Sequence, residues 1–333
     1  MLSLLYSAVS EYFVCTRRNI TTRFFNNAEG AFTSFVPTSW APYPIQQMLL
    51  SRVLWIPRVE WTKVLTLFDD GVVCRLDICP EPAVTNNIIL LCHGFGGSVE
   101  SPYCSHVAHL AKANGYTTIV YNRRAHVPES HSPTYPVHYD QDDLENVIDW
   151  IKNAYPDANL YGVGCSMGGN LLARYAGIKG SSCPFKKIVS VSNGFDLHAG
   201  VEVSKVVPLN NKLFMSFTRE ILCNVQDGNT ICTKIKSFSD LEGKALGLSD
   251  MSTYYSASSS ITELANVAVP CLCIYSDDDI LLNHKDEFYS EMVKTNPKIT
   301  VIATSHGGHV GFVSPDFKCD WWIKNALTFL KAI

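Results

Sequence analysis

The sequence predicts an α/β fold, with a mostly parallel central sheet and helices on both of its faces. Two observations predict this fold class. Short apolar segments of strand length alternate with segments of helical periodicity along most of the chain. The apolar segments are continuous, which is typical of strands that are covered on both faces. The 333 residues suffice for one large domain rather than two independent ones.

The first two predicted strands are Lys63–Phe68 and Val72–Ile78, joined by Asp69-Asp70-Gly71. Because Asp-Gly between two apolar runs is a hairpin signal, we expect this pair to be antiparallel. Six buried strands follow, at Ile88–Cys92, Thr117–Tyr121, Leu160–Gly164, Lys187–Ser192, Cys271–Tyr275 and Thr300–Ala303.

Helical periodicity fills the intervals between these strands. The predicted helices are Cys104–Asn114, Asp142–Ala154, Met167–Gly177, His284–Thr295 and Asp320–Ala332. Residues of about 195–268 interrupt the alternation, and we interpret them as a cap inserted into the domain; a peripheral helical excursion is the alternative. The expected organisation is therefore an N-terminal segment, 1–31, followed by one α/β domain, 32–333, that contains the cap.

Composition excludes several classes of function. The net charge of −4 and pI near 6.2 provide no basic surface for nucleic acid. Several of the 12 cysteines lie in apolar runs, where a thiol behaves as a small apolar group. The C-x-C pair, Cys271 and Cys273, has no second ligand pair near it in the sequence. We therefore expect free thiols in a reducing, intracellular compartment rather than a zinc site or a disulfide framework.

The N-terminus is weakly apolar. Met1–Val14 is diluted by polar residues and has no basic residue ahead of it, so it resembles neither a membrane-spanning helix nor a secretory signal. Arg17, Arg18 and Arg23 follow it. The favoured interpretation is a partly buried or frayed terminus, and peripheral membrane contact through a short amphipathic anchor is the alternative. The expected location is cytoplasmic or membrane-associated, and nothing in the sequence indicates the oligomeric state.

Chemistry is indicated first by Gly164-Cys165-Ser166-Met167-Gly168, which fits G-x-S-x-G. This pattern places a serine at a sharp turn from strand to helix, where its hydroxyl stands above the sheet edge. The small flanking residues are needed because the strand and helix crowd together there. A strand is predicted before the motif and a helix after it, so Ser166 is the candidate nucleophile.

A serine nucleophile needs a base and an acid that orients the base. The expected chain order is serine, acid, histidine. His309 follows the last predicted strand and a glycine pair, and we favour it over His306. Three aspartates follow the preceding strand, Asp277, Asp278 and Asp279. Spacing alone does not separate them; we choose Asp278 as the acid and keep Asp279 as the next candidate.

A glycine-rich loop, His93-Gly94-Phe95-Gly96-Gly97, follows the strand Ile88–Cys92. In an α/β hydrolase the loop at this position supplies one amide of the oxyanion hole, and the residue after the nucleophile supplies the other. We therefore expect the backbone N–H groups of Phe95 and Met167 to form the hole. The loop lacks the lysine and glycine spacing of phosphate-binding loops.

With these motifs in place, the sequence resembles the AB-hydrolase 4 family of α/β-hydrolases, from about Phe32 to the C-terminus. That family includes abhydrolase-domain lipases and phospholipases, plant embryogenesis-associated hydrolases and bacterial relatives. The matching segments are Phe35–Trp40, Cys92–Gly97, Tyr121–Arg124, Asp142–Leu144, Gly164–Asn170, Tyr254-Tyr255, Asp277–Asp279 and Gly307–Phe312. The chain departs from the pattern at Arg124, where the family has glycine, and at its N-terminus, where many members carry a transmembrane helix.

The resemblance implies a serine hydrolase acting on carboxylic esters of lipids, such as monoacylglycerols or phospholipids. By position it implies Ser166 as nucleophile, His309 as base and Asp278 as acid, although the loop before His309 is one residue longer than usual. Such a triad works through an acyl-enzyme and needs no metal or organic cofactor. The alternatives are an acyltransferase with the same triad and a non-catalytic scaffold. Apolar residues of 205–223 are candidates for an acyl pocket.

Overall fold

The computed structural model describes residues 21–26, 32–54, 56–80, 85–138, 140–206, 208–231, 235–282 and 286–332. The segment Met1–Val14, with Arg17 and Arg18, lies outside the described residues. Within the described part, nine strands form one sheet. They are β1 Thr22–Phe25, β2 Thr62–Leu67, β3 Val73–Cys79, β4 Asn87–Cys92, β5 Thr117–Asn122, β6 Asn159–Cys165, β7 Ile188–Val191, β8 Cys271–Ser276 and β9 Ile299–Thr304.

The strand order across the sheet is β1-β9-β8-β7-β6-β4-β5-β3-β2. The interior strands β5, β4, β6, β7, β8 and β9 pair in parallel. The edge pairs are antiparallel, including the β2–β3 hairpin that the Asp-Gly turn predicts. The α/β prediction is confirmed, and the carboxyl ends of the parallel strands form one edge at which loops of different strands meet.

Ten α-helices occur in the described part of the chain. They are α1 Pro44–Val53, α2 Pro102–Ala113, α3 Gln141–Ala154, α4 Met167–Lys179, α5 Leu197–Val206, α6 Pro208–Leu222, α7 Phe238–Leu246, α8 Met251–Ser258, α9 Asp286–Thr295 and α10 Trp321–Lys331. No helix among the described residues is long and apolar enough to cross a membrane.

The apolar strands separate two hydrophobic cores. Along β4, Ile88, Leu90 and Cys92 pack into the core on one face with residues of α3, α4 and α9. Ile89 and Leu91 pack into the other, with residues of α2 and α10. Since side chains alternate between the faces of a strand, burial on both sides requires an unbroken apolar run. This requirement explains why the sequence located these strands.

The chain between β7 and β8 forms a third core of its own. Helices α5 to α8 lie in this interval. Their side chains, among them Leu222, Phe238 and Tyr255, cluster with Ala125 and Tyr135 from the loop after β5. The insertion expected near 195–268 is therefore packed against the loops at the carboxyl edge of the sheet.

The N-terminal boundary differs from the expected one. Thr22–Phe25 falls within the expected N-terminal segment, 1–31, yet it forms β1, the edge strand that pairs antiparallel with β9. Its four side chains are half-buried, and a strand this short and only partly covered leaves no clear sequence pattern. The folded unit thus begins before residue 32.

Arg124 occupies the position at which the AB-hydrolase 4 family has glycine. In the structure its side chain binds two aspartates. Its guanidinium makes paired hydrogen bonds to Asp143, Nε to Oδ2 at 2.8 Å and Nη2 to Oδ1 at 2.6 Å. Nη1 bonds to Asp70 Oδ2 in the β2–β3 turn at 2.7 Å, and the group lies 4.7 Å from the centre of the Phe68 ring. Arg124 therefore ties the start of α3 to the hairpin.

Replacing Arg124 with methionine should destabilise the fold by about 3 to 5 kcal/mol, because it leaves the buried Asp143 carboxylate without its partner. Urea unfolding measures the change. As the control, Asp70→Asn removes the exposed partner and should cost less than about 1 kcal/mol. A methionine variant that unfolds at the wild-type midpoint would contradict this account.

Candidate active site

Ser166 occupies the turn between β6 and α4, as its motif predicts. Its backbone has φ 54° and ψ −120°, an uncommon conformation for a residue other than glycine. The turn is possible because its neighbours lack side chains: a Cβ on Gly164 would lie 2.4 Å from the Gly168 carbonyl oxygen. A Cβ on Gly168 would lie 2.1 Å from the Cys92 oxygen. The two glycines thus let the helix start directly beside β4 and β6.

His309 lies on the loop after β9 and faces an aspartate from the loop after β8. Its Nδ1 is 2.7 Å from Oδ2 of Asp279. The Asp279 carboxylate is buried, and its Oδ1 accepts a hydrogen bond from the Leu281 backbone N–H at 2.9 Å. A carboxylate fixed in this way holds the Nδ1 proton and directs Nε2 away from itself, as a catalytic base requires.

The choice of Asp278 as the acid needs correction, because the structure places Asp279 against His309. Asp278 Oδ1 instead accepts the Gly308 backbone N–H at 2.9 Å and the Ser276 hydroxyl. Adjacent residues in the turn after β8 point to different sides. Asp278 therefore faces the backbone of the histidine loop, while Asp279 faces the imidazole. Burial raises the pKa of the Asp278 carboxyl.

The other candidates have separate positions. Asp277 lies on the exposed side of the turn, where it pairs with Arg23 of β1 at 2.7 Å. The competing histidine, His306, bonds through Nδ1 to Ser305 Oγ at 2.9 Å. Among the described residues, no contact joins Asp277 or His306 to Ser166. His309 and Ser166, in contrast, line the same cavity.

The glycine loop after β4 is held by a buried neutral histidine. His93 Nε2 accepts the Arg123 backbone N–H at 3.0 Å, so the proton resides on Nδ1, which donates to the Gly94 carbonyl at 2.8 Å. Burial lowers the pKa of His93 to about 3. Gly94 N–H donates to the Tyr103 hydroxyl at 3.0 Å. These bonds fix the backbone immediately before Phe95.

The loop also lies against the nucleophile. A Cβ on Gly94 would sit 3.1 Å from Ser166 Cβ. Phe95 and Met167, the two residues expected to form the oxyanion hole, line a small cavity of about 70 Å³ together with Ser166 and His309. The structure therefore brings together the candidate nucleophile, the candidate base and both residues expected to supply amide donors.

A larger groove reaches the same serine from the other side. It measures about 480 Å³ and includes Ser166, His309 and Phe95. One wall is α1, which sequence reasoning did not identify, and the opposite wall is α6. Within the 205–223 stretch, the residues that line it are Leu209, Leu213, Phe214, Phe217 and Glu220. Apolar side chains dominate both walls.

A buried polar network that the sequence did not reveal borders the small cavity. His138 Nε2 lies 2.7 Å from Oε1 of Glu242 on α7, and the Tyr255 hydroxyl donates to Oε2 at 2.7 Å. The Tyr254 hydroxyl accepts the His138 backbone N–H at 2.9 Å. Tyr254-Tyr255 belongs to the motifs of the resembling family, but His138 and Glu242 follow no recognisable pattern. The network joins the insertion to the loop before α3.

The sheet is mostly parallel, Ser166 lies at the β6–α4 turn, and a histidine–aspartate pair follows β8 and β9. This arrangement is that of an α/β-hydrolase. Residues 87–222 match a family model described as the alpha/beta hydrolase fold. The Pyrococcus furiosus esterase Pf2001 has the same fold, with a TM-score of 0.59 and 18% identity over 90% of this chain and 97% of that one.

The chain belongs to the abhydrolase-domain family of lipases and phospholipases. It is 30% identical to the human phospholipase ABHD3 over 304 residues, which cover 84% of this chain and 74% of the relative. It is 27% identical to the embryogenesis-associated protein EMB8 of Picea glauca, over 76% of this chain and 60% of the relative. The predicted fold class and family are thus confirmed.

Asp279→Asn should lower kcat for ester hydrolysis by about 10³- to 10⁴-fold. The neutral amide would no longer stabilise protonated His309, nor hold the neutral imidazole in the tautomer that carries its proton on Nδ1. The matched variant Asp278→Asn keeps an oxygen that accepts the Gly308 N–H, so its loss should be much smaller. Steady-state kinetics on a chromogenic ester compares the two. A greater loss in Asp278→Asn would assign the acid to that residue instead.

Proposed function

We propose that this protein is a serine esterase that hydrolyses acyl esters of lipids through Ser166, His309 and Asp279. The observation that carries the proposal is the Asp279–His309 hydrogen bond of 2.7 Å beside a cavity that Ser166 lines. The relatives named phospholipase ABHD3 and, in Saccharomyces cerevisiae, monoacylglycerol lipase support the lipid class of the substrate.

In the proposed first half-reaction, His309 Nε2 removes the Ser166 proton as the hydroxyl oxygen attacks the ester carbonyl. The carbonyl oxygen becomes an oxyanion, which the Phe95 and Met167 backbone N–H groups stabilise. The C–O bond to the alcohol then breaks, and His309 gives its proton to the leaving alkoxide. The acyl group remains as an ester on Ser166. Asp279 stabilises the imidazolium throughout.

The second half-reaction repeats these steps with water. His309 takes a proton from water while the water oxygen attacks the carbonyl of the acyl-enzyme. His309 then gives that proton to Ser166 Oγ as the carboxylic acid leaves. Every proton and electron pair is accounted for by the serine, the imidazole and water. The proposed reaction therefore involves neither a metal nor an organic cofactor.

The shape of the site suits an ester with a long apolar part. Ser166 lines both the small cavity and the 480 Å³ groove, so one part of a bound ester can extend into each of them. The apolar walls of the groove, from α1 and α6, can hold a hydrocarbon chain away from water. We assign the groove to an acyl chain of the lipid.

Ser166→Ala should abolish both ester hydrolysis and covalent labelling by a fluorophosphonate probe, since it removes the hydroxyl that the proposed mechanism uses as the nucleophile. Gel fluorescence and a chromogenic ester assay measure the two effects. The control is Ser98→Ala, which removes a hydroxyl that also lines the groove and should leave labelling intact. Undiminished labelling of Ser166→Ala would overturn the proposed nucleophile.

Acyl transfer is the second candidate activity, because one relative is the medium-chain fatty acid ethyl ester synthase/esterase 2 of Saccharomyces cerevisiae. Ser166 lines the groove, so an alcohol that enters the groove can replace water in the second half-reaction. For a hydrolase, added ethanol should leave free fatty acid as the main product by mass spectrometry. Ethyl ester as the main product at millimolar ethanol would identify a transferase.

A further inference from the structure

Helix α1 exposes apolar side chains to solvent. Ile45, Leu49 and Val53 are spaced by four residues, so they share one face of the helix, and they are 42%, 60% and 75% exposed. The buried residue of the helix is polar: Gln47 donates to the Ala41 carbonyl at 2.7 Å and accepts the Val313 N–H. Surface helices usually bury their apolar face and expose the polar one. In α1 this arrangement is reversed.

Two of these exposed residues border the groove, and Val53 lies one turn beyond them, outside it. Ile45 and Leu49 line it from α1, and Leu209, which is 40% exposed, lines it from the facing helix α6. Ser166 lies inside the same groove. We call Ile45, Leu49, Val53 and Leu209 the apolar rim. The rim thus brings exposed apolar residues of two helices to the groove in which Ser166 lies.

The surroundings of the rim resemble those of residues at a lipid–water boundary. Trp40 precedes α1, and its exposed ring lies 5.1 Å from that of Phe317, which is also exposed. Arg52 lines the groove, and Arg58 is exposed after the helix. Tryptophan is enriched where protein meets the interface of a bilayer, and arginine binds phosphate groups.

We propose that the apolar rim docks this protein onto a phospholipid surface, so that a lipid passes from the surface into the groove without crossing water. This inference rests on the proposed function. Each methylene group moved from lipid into water costs about 0.8 kcal/mol, so a chain of ordinary length does not leave a bilayer readily. A rim seated in the surface removes this barrier, because apolar contact continues from the bilayer along α1 and α6 to Ser166.

Vesicle sedimentation tests the docking directly. The probe is a vesicle of ether-linked phosphatidylcholine, whose chains carry no ester for Ser166 to cleave. We expect the full chain to sediment with the vesicles, and Leu49→Asp together with Val53→Asp to weaken partitioning at least about tenfold. The control is Leu67→Asp on the edge strand β2: its side chain is 62% exposed, as large as those of the rim, and does not line the groove.

Failure to sediment, or equal sedimentation of the rim variant and the wild type, would overturn the proposal. The second result would mean that another segment binds the vesicle. If sedimentation velocity showed a wild-type dimer that the rim variant disrupts, with vesicle binding unchanged, the rim would be a contact between two copies and the proposal would also fall.

A water-soluble ester separates docking from catalysis. Val53→Asp lies outside the groove, so it should hydrolyse p-nitrophenyl acetate at the wild-type rate, while hydrolysis of ester phospholipid in vesicles should fall in parallel with binding. If Val53→Asp hydrolysed both the soluble ester and the vesicle phospholipid at the wild-type rates, the rim would not deliver lipid to the groove and the proposal would be overturned. If the wild type hydrolyses neither ester, the proposed function fails, and the vesicle result stands on its own.

Discussion

The close approach of β4, β6 and the first turn of α4 is the constraint on which the rest of the site depends. At Gly168 the backbone of the helix is so near Cys92 that a single added carbon would overlap it. This contact sets where the loop after β4 leaves the sheet, and hence where Gly94 and Phe95 stand relative to Ser166. The strained serine conformation costs about 1 to 3 kcal/mol, which the surrounding packing must offset.

Much of the fold was predictable because burial on both faces of a strand leaves a direct mark on the sequence. Ser166 and His309 were predictable because each comes after a recognisable strand and has glycines next to it in the sequence. The acid was harder to identify. Asp278 and Asp279 have the same chemistry and adjacent positions, and only the direction of each side chain in the turn distinguishes them. Helix α1 escaped detection because it buries Gln47 and exposes its apolar residues.

The two sides of the site differ in how firmly they are closed. On one side, α7 and α8 are joined to the loop before α3 by the buried side chains of His138, Glu242 and Tyr255. Separating them would leave a buried carboxylate without its partners, a change that is strongly unfavourable. On the other side, residues of α1 and α6 line the larger groove. Substrate entry from the groove therefore requires no rupture of the His138–Glu242–Tyr255 network.

The edge strand β1 has a practical consequence for the design of shortened proteins. Arg23 of β1 pairs with Asp277, and the next two residues, Asp278 and Asp279, bond to the His309 loop. Just before β1, the Thr21 N–H donates to Ser305 Oγ and the Thr21 carbonyl accepts the Ser305 N–H, immediately after β9. A truncation of the N-terminal segment would therefore remove contacts of the turns after β8 and β9 if it extended past Thr21. Loss of activity in such a protein would report on a missing strand, and the cut should be placed ahead of that residue.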